Sequence, residues 1–523
     1  MLSRVKSVAT IGLDTVEVVV EVDVANKGFP AFDIVGLPDK AVGESRARVK
    51  KAIENSGFNF PDKRITVNLA PADLHKEGSN YDLPIAVGIL LASGEIEILS
   101  EPSESRNIEG YFYGELGLSG EVKSVRGTLL VAMAAKENRV SAIYAPIESA
   151  MEGSVVDGVA VYPVRNLREL VDHLQEKKQI EKVKHLEPGT LLDDVVGAVD
   201  MSEIAGQEMA KRAAEISAAG GHNLLLVGPP GAGKTMLAKA FPSILPPLLP
   251  DESLEVTRIY SVAGLLPAGV ALMRRRPYRC PHHTASMISI IGGGSNPMPG
   301  EISLAHLGVL FLDELPEFPR STLEVLRQPM EDGRVSITRA AGRAEYPAKF
   351  ILLASANPCP CGYLNHPFKE CSCGERQVEK YRSRISGPIL DRIDLHVWVD
   401  PVEVSKLTYE SKKVKAESEK LMESSLDIRE RVERARERQH KRFSGLKGIY
   451  TNAQMGNKEV KKYCELSTEV SSFLQAMVKK YNLSARAYFK VIKVARTIAD
   501  LAGEEVITIS HVAEAAQYRE NVW

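Results

Sequence analysis

The chain has 523 residues, 44% of them hydrophobic and 26% charged, and a formal net charge of −2 at pH 7. That length gives room for about three domains of roughly 100–200 residues each. The near-neutral charge excludes a uniformly basic nucleic-acid-binding surface, so any such site must be a local patch.

Met1-Leu2-Ser3-Arg4-Val5-Lys6 leads into no apolar signal core. The longest apolar stretch, around Leu83 to Ala92, is far short of the ~20 residues of a membrane span, so a cytoplasmic protein with no membrane partner is expected. Residues 1–175 alternate strand and helix patterns. Val16 to Val24 alternates like a half-buried strand. Ser45 to Ser56 reads as a helix, Arg64 to Leu69 as a strand, and Leu83 to Leu91 as a buried helix. Gly114 to Val122 reads as a hairpin, Leu129 to Ala135 as a helix and Ala142 to Pro146 as a short strand. This is an α+β domain with no evident catalytic constellation.

Residues 176–192 open with a charged, apolar-poor run and are expected to be a linker. A nucleotide-binding core is expected over 193–401. Within it the apolar strand Leu224-Leu225-Leu226-Val227 runs into Gly228-Pro229-Pro230-Gly231-Ala232-Gly233-Lys234-Thr235 and then into a helix from Met236. Strand, G-x-x-x-x-G-K-T and helix in that order are the context of a phosphate-binding loop. Its glycines let backbone N–H groups turn onto phosphate oxygens, and the helix N-terminus favours an anion. Lys234 reaches the terminal phosphates and the Thr235 hydroxyl faces Mg²⁺. The chain is therefore expected to bind ATP with Mg²⁺.

A second apolar strand, Val309-Leu310-Phe311-Leu312, ends in Asp313-Glu314. Asp313 is the expected metal-side carboxylate and Glu314 the general base that polarises water. A third strand, Phe350 to Ala356, ends in Asn357, either a polar group that orients the same water or a turn-forming Asn before Pro358. Arg392, in Leu390-Asp391-Arg392-Ile393-Asp394, either reaches a neighbouring subunit's γ-phosphate or pairs with Asp391 or Asp394. Arg486 opens a late helix as a nucleotide sensor or as a surface charge.

Arg274, Arg275, Arg276 and Arg279 crowd into six residues, and Arg334 to Arg343 reads as a hairpin with Arg339 and Arg343 near its tip. These suit phosphate contacts on a threaded DNA strand, or else are solvated or inter-subunit charges. Cys359, Cys361, Cys371 and Cys373 form C-x-C and C-x-C with nine residues between the pairs. In a reducing compartment such a cluster points to a structural Zn²⁺ before disulfides, with reduced free thiols as the alternative. His282 and His283 read as loop or hydrogen-bonding residues. Residues 402–450 form a charged connector, whose run Arg429 to Arg438 reads as a solvated helix with i,i+4 pairs. Residues 451–523 read as helices broken near Asn482 and Gly503, a small lid.

Taken in order, Gly-Pro-Pro-Gly-Ala-Gly-Lys-Thr, Val-Leu-Phe-Leu-Asp-Glu-Leu, Ala-Asn-Pro and Leu-Asp-Arg-Ile-Asp resemble the AAA+ ATPases. Tyr278 to Thr284, Ile291 to Gly294 and Pro299 to His306 narrow the resemblance to the magnesium-chelatase-like branch and its YifB/ComM group. The resemblance implies an α/β AAA+ P-loop core with a C-terminal helical lid, and a homo-oligomeric, hexameric ring with active sites between subunits. It implies Lys234 and Thr235 on phosphate and Mg²⁺, Asp313 and Glu314 as metal ligand and base, and Asn357 as polar sensor. Arg392 becomes the finger acting in trans and Arg486 the lid sensor. It further implies a helicase-like motor that migrates branched DNA in recombination or natural transformation.

Lys76 to Pro84 and Gly114 to Val122 resemble segments of Lon-type protease domains. The serine position falls on Asn80 and the lysine position on Leu129, with Ser79 one place off and Lys123 too early. A Lon-like domain without the Ser–Lys dyad, and without peptidase activity, is expected. The competing functions are a chelatase-type motor acting with a partner subunit, for which this chain carries no D-x-S-x-S motif, and a proteolytically inactive ATPase that remodels proteins.

Overall fold

The computed structural model describes residues 1–519 except 26–28, 38, 75, 77, 98–104, 187–198, 268, 295–296, 340–341, 402–422, 447 and 482–483. The N-terminal unit starts from β1 (Leu2–Ile11) and β2 (Asp14–Val24), antiparallel from Leu2 opposite Asp23 to Ile11 opposite Asp14. In β2 the even positions Val18, Val20, Val22 and Val24 are buried and Asp23 is exposed, as a period of two requires. The unit adds β3 (Ala31–Val35), β4 (Arg64–Ala70), β5 (Ser105–Phe112), the short hairpin β6 (Glu115–Leu116) and β7 (Val122–Lys123), β8 (Ala142–Pro146) and β9 (Ala160–Val164). The main sheet runs β3-β4-β2-β1-β5-β8-β9. The helix Asp82–Ser93 is apolar on every side and buried from Asp82 to Ala92, because it lies between the sheet and the helix Lys40–Asn55. The helix Thr128–Glu137 packs on the other face with Val8, Tyr111 and Ile143.

The first part of the expected linker is not free. Ile180 is buried and its N–H donates to His173 Nδ1 at 3.0 Å; the Val183 N–H donates to the Val161 carbonyl at 2.8 Å. Lysines and glutamates between these anchors face water, so composition read as a linker what is a strap lying along β9. Residues 187–192 lie outside the described residues.

The second unit is a parallel sheet in the order β11-β14-β17-β10-β18, with β10 at Leu224–Val227, β11 at Tyr278–Arg279, β14 at Val309–Leu312, β17 at Ile351–Ala356 and β18 at Leu395–Trp398. Two antiparallel pairs project from it: β12 (Gly292–Gly293) with β13 (Met298–Pro299), and β15 (Arg334–Arg339) with β16 (Gly342–Pro347). β10, β14 and β17 are buried at every position, the continuous apolar pattern of strands covered on both faces. The helix Pro250–Ala263 joins the units: the Gly127 N–H donates to the Ser261 carbonyl at 3.2 Å, and Ser261 Oγ donates to Glu152 at 2.6 Å.

The helix Ser425–Arg442 departs from expectation. It buries Ile428, Val432, Ala435 and Gln439 against the helices Glu208–Gly220 and Ala485–Ala502. Three of its arginines reach across the fold: Arg431 to Glu215 at 2.5 Å, Arg436 to the Ala218 carbonyl at 2.7 Å, and Arg442 to Asp500. The rest of the connector, 402–422, lies outside the described residues. The helices Thr468–Lys480, Ala485–Ala502 and Ile509–Gln517 share one core with Leu224, Val309 and Val397 of the sheet. Gly503 ends the second of them in a left-handed turn, and Asn482 lies outside the described residues. Among the described residues no helix is long and apolar enough to cross a membrane.

Candidate active site

Strand register assembles the site. Leu312 pairs with Ala354 and Val227 with Ala356, so the residues leaving the carboxyl ends of β14, β17 and β10 emerge side by side. Asp313 therefore comes level with Ser355, and Asn357 level with the loop after Val227. In that loop Gly231 and Gly233 have φ of +79° and +91°, and a Cβ on either would meet nothing within 4 Å. The backbone is thus in a conformation that glycine tolerates, around open space of the kind a phosphate fills.

Lys234 Nζ folds back onto the carbonyls of Gly228 at 2.6 Å and Pro229 at 2.9 Å, and onto Asn357 Oδ1 at 3.1 Å. Its bonded partners are three neutral oxygens. Burial pushes the ammonium down to about 8, against the attraction of Asp313 and Glu314. A buried cation bonded only to neutral oxygens is fitted to an incoming anion. Thr235 Oγ1 donates to Asp313 Oδ2 at 3.0 Å. Two cis ligands of an octahedral Mg²⁺ at about 2.0–2.1 Å stand about 2.9 Å apart, so these two oxygens fit one edge of such a site. The other Asp313 oxygen accepts a short hydrogen bond from Ser355 Oγ, which in turn accepts from the Glu314 N–H at 3.1 Å. Glu314 takes φ +53° at the strand tip, and its carboxylate lies 4.0 Å from His283 Nδ1.

Arg392 and Arg486 are elsewhere. Arg392 precedes β18 and Asp394 binds the N–H of Asn223, which precedes β10. The two arginines line a cavity of about 720 Å³ with Asn223, Gly308, Ile351 and Asp394, all at the amino ends of the strands. Four-residue strands at about 3.3 Å per residue put that cavity on the order of 13 Å or more from the phosphate loop. Arg392 Nη2 pairs with Glu331 at 2.6 Å and Arg486 with the same carboxylate oxygen at 2.9 Å. Neither Asp391 nor Asp394 is the partner of Arg392. Within this chain Arg486 is removed from the set around Lys234, because the terminal helices lie at the opposite end of the sheet.

The arginine cluster divides. Arg276 donates to the carbonyls of Pro246 and Leu307, both at 2.8 Å, and pairs with Glu252 at 2.8 Å with both side chains 9% exposed. Arg279 forks onto Glu301 at 2.6 and 2.7 Å. Neither faces DNA as a free cation, since folding supplies each with a carboxylate that the local sequence does not reveal. Arg275 is exposed and Arg274 partly so; Arg343 is exposed 3.9 Å from Glu345. The Arg339 side chain lies outside what is described.

Cys359, Cys361, Cys371 and Cys373 converge, with all four Sγ atoms within 4.8 Å of one another. In the N-terminal unit Ser79 is bonded to Glu115 and Leu129 is fully buried, so neither position pairs a nucleophile with a lysine. His282 Nδ1 is 2.9 Å from Thr284 Oγ1, a loop contact. Two residues of the site and one beside the distant arginine pair escaped sequence reasoning. Ser355 was legible in principle, two residues before Asn357 on a fully buried strand where a hydroxyl needs a partner. Gln207, whose Nε2 donates to the Ala232 carbonyl at 3.2 Å and the Asp400 carbonyl at 2.6 Å, braces the phosphate loop from a distant segment. Glu331 is set by tertiary contact alone.

Three family models match the chain. Residues 20–149 match "Subunit ChlI of Mg-chelatase", 200–407 match "Magnesium chelatase, subunit ChlI", and 422–519 match "Magnesium chelatase, subunit ChlI C-terminal". Among curated proteins the chain is 41% identical over 524 residues to YifB of Salmonella typhimurium, covering 99% of this chain and 97% of the relative. It is 40% identical to the competence protein ComM of Haemophilus influenzae, covering 100% and 98%, and 40% identical to YifB of Escherichia coli, covering 99% and 97%.

Proposed function

The chain belongs to the YifB/ComM family of magnesium-chelatase-like proteins, and we propose that it is a ring-forming, ATP-driven DNA motor of the branch-migrating helicase type. The observation that carries this reading is the split between two half-sites. Lys234, Thr235, Asp313, Glu314 and Asn357 gather at the carboxyl ends of the strands, while Arg392 and Arg486 gather at the amino ends. One copy then holds the triphosphate and the next copy supplies the cations, which is what a closed ring, here a hexamer, provides.

In this reading the N–H groups from Gly231 to Thr235 hold the phosphates of ATP, and Lys234 turns from the Gly228 and Pro229 carbonyls to the terminal phosphate. Thr235 and Asp313 hold Mg²⁺, which when bound neutralises phosphate charge. Glu314 takes the proton of the attacking water, and Ser355 fixes both Asp313 and the Glu314 backbone. Arg392 of the adjacent copy meets charge developing on the transferred phosphoryl oxygens, and Arg486 beside it makes the lid sensor a group that also acts in trans. Arg274, Arg275, Arg339 and Arg343 meet phosphates of single-stranded or branched DNA. The N-terminal unit is a Lon-like module without peptidase activity, and a role for this motor in natural transformation is supported by the name of one relative, competence protein.

ATP turnover with and without single-stranded and four-way-junction DNA, beside a Glu314→Gln control, tests the reading. DNA is expected to bind, stimulate turnover and be unwound at the junction by the wild type only. Turnover indifferent to DNA, with no junction resolved, overturns the DNA motor and leaves a chelatase-type or protein-remodelling ATPase.

A further inference from the structure

The segment that follows Asn357 has little to hold it. From Pro358 to Gly374 there is neither helix nor strand, and Phe368 in its middle is 78% exposed. What it does have is sulfur. Cys359 Sγ lies 3.4 Å from Cys361 Sγ and 3.6 Å from Cys371 Sγ, and Cys361 and Cys371 are also 3.6 Å apart. A disulfide needs about 2.05 Å, so these are not bonded pairs. Four thiolates about 2.3 Å from one tetrahedral ion stand about 3.8 Å from each other, close to the spacing here. A multi-iron cluster would need its cysteines farther apart than the 4.8 Å that encloses all four.

The surroundings suit thiolates. The backbone N–H of Cys361 donates to Cys373 Sγ at 3.4 Å. Backbone N–H groups of Gly362 and Leu364 face Cys359, those of Tyr363 and Ser372 face Cys361, and that of Cys373 faces Cys371. Such donors orient sulfur ligands and stabilise their charge. The loop also roofs the phosphate-binding loop: a Cβ on Gly362, whose φ is +83°, would come 2.6 Å from Pro230 Cδ. Asn357, two residues before Cys359, holds Lys234.

We propose that Cys359, Cys361, Cys371 and Cys373 bind one structural Zn²⁺ that clamps this loop over the nucleotide site, fixing Asn357 and the Pro230 side of the phosphate loop together. The assignment does not depend on the DNA-motor reading. With four protein ligands the site is closed, so its ion has no chemical step of its own. Loss of the ion frees Gly362 from Pro230 and weakens nucleotide binding without touching any residue that contacts phosphate.

The test is metal analysis of full-length protein purified without chelator under reducing conditions. About one zinc per chain is expected in the wild type, and less than about a tenth in a Cys371→Ser/Cys373→Ser variant. That variant is expected to bind a fluorescent ATP analogue at least about fivefold more weakly. Should the variant not fold, the wild type serves alone: mercurial titration is expected to release one zinc as four thiols react beyond the exposed Cys280, and Co²⁺ substitution to give tetrahedral thiolate absorption bands. Wild type without stoichiometric zinc, or holding iron in its place, overturns the assignment. Zinc lost with nucleotide affinity unchanged overturns the clamp.

A separate observation concerns Glu331. It is the penultimate residue of the helix Arg327–Asp332, three residues before Arg334 opens the β15–β16 hairpin, and one of its oxygens holds both Arg392 and Arg486. Arg392 is only 10% exposed in this grip, with Nη1 on the Pro388 carbonyl at 2.7 Å. The other charged groups around that cavity are the cations Arg276, Lys349, Arg436, Lys490 and Lys493 and the anions Glu252, Asp332 and Asp394. We infer that Glu331 is a positioning residue, a latch that keeps both arginines from a neighbour's phosphates until strain on the hairpin pulls it away. This rests on the motor reading, in which Arg392 acts in trans and the hairpin meets DNA.

Glu331→Gln is expected to raise DNA-independent ATP turnover at least about threefold and bring the ratio of DNA-stimulated to basal turnover close to one, with nucleotide affinity unchanged; Glu331→Asp is expected to restore part of the ratio. A merely structural Glu331 leaves that ratio intact. If Glu331→Gln behaves as wild type while Arg392→Ala abolishes turnover, the latch is wrong and the motor reading stands. If Arg392→Ala leaves turnover intact, the trans finger falls and the latch with it.

Discussion

Thr235 Oγ1 and Asp313 Oδ2 stand 3.0 Å apart, one on the first turn of a helix and the other at the tip of a strand two places across the sheet. That separation suits one edge of an octahedral Mg²⁺ site. Asp313→Asn is expected to keep nucleotide affinity within about threefold and to lower turnover at least about a hundredfold, while Thr235→Ala raises the Mg²⁺ concentration needed for half-maximal rate. Turnover measured across a Mg²⁺ titration checks both; an Asp313→Asn rate near wild type refutes the role.

Ser355 ties Asp313 to the Glu314 backbone. A hydrogen bond to a charged group is worth about 1.5–3 kcal/mol, so Ser355→Ala is expected to cost roughly 10- to 150-fold in kcat with little change in nucleotide affinity. Single-turnover hydrolysis against nucleotide titration separates the two effects.

Lys234 gives a pH signature. Its ordinary value of 10.5 is pulled down to about 8 by burial. A lysine lowered on folding costs stability below its unfolded value, in full below its folded one, and that cost is relieved as pH rises through the interval. Bound phosphate favours the ammonium, so nucleotide binding takes up a proton once the free site is neutral. Affinity is expected to be flat from about pH 7 to about pH 8 and to fall by up to about tenfold per unit above that. Titrations to about pH 9.5, with calorimetry in buffers of different ionisation enthalpy, read this; affinity unchanged throughout contradicts it.

Asp500 anchors the terminal helices. It is fully buried, pairs with Arg442 and Arg496, and accepts from Asn452 Nδ2 at 2.8 Å. Removing one partner of a buried ion pair costs about 3–5 kcal/mol because the others stay uncompensated. Asp500→Ala is expected to lower the unfolding free energy by about that amount in a denaturant titration, whereas Glu437→Ala on an exposed helix face shifts it by less than about 0.5 kcal/mol.

What could be read before the structure is what lies contiguously along the chain. Gly228 to Thr235 and Asp313-Glu314 carry their context with them, a strand before and a turn or helix after. The fully buried strands β10, β14 and β17 announce themselves as unbroken apolar runs. The rest depends on what folding places alongside. Arg276 and Arg279 look free until Glu252 and Glu301 come up beside them. The helix Ser425–Arg442 looks solvated because its buried stripe of Ile428, Val432 and Ala435 is narrow among arginines, and the carboxylates those arginines seek lie far away in sequence. Arg392 has Asp391 and Asp394 beside it in sequence and takes Glu331 from far along the chain.

The central claim is that one copy's Lys234 and the next copy's Arg392 make one active site, and a mixing experiment reaches it most directly. Lys234→Ala and Arg392→Ala proteins are each expected to be inactive alone. Combined in equal amounts under conditions that let subunits exchange, random assembly puts an intact phosphate loop against an intact Arg392 at roughly a quarter of interfaces, and turnover is expected to return to about that fraction of wild type. A mixture as silent as its components, with exchange verified, contradicts the shared site.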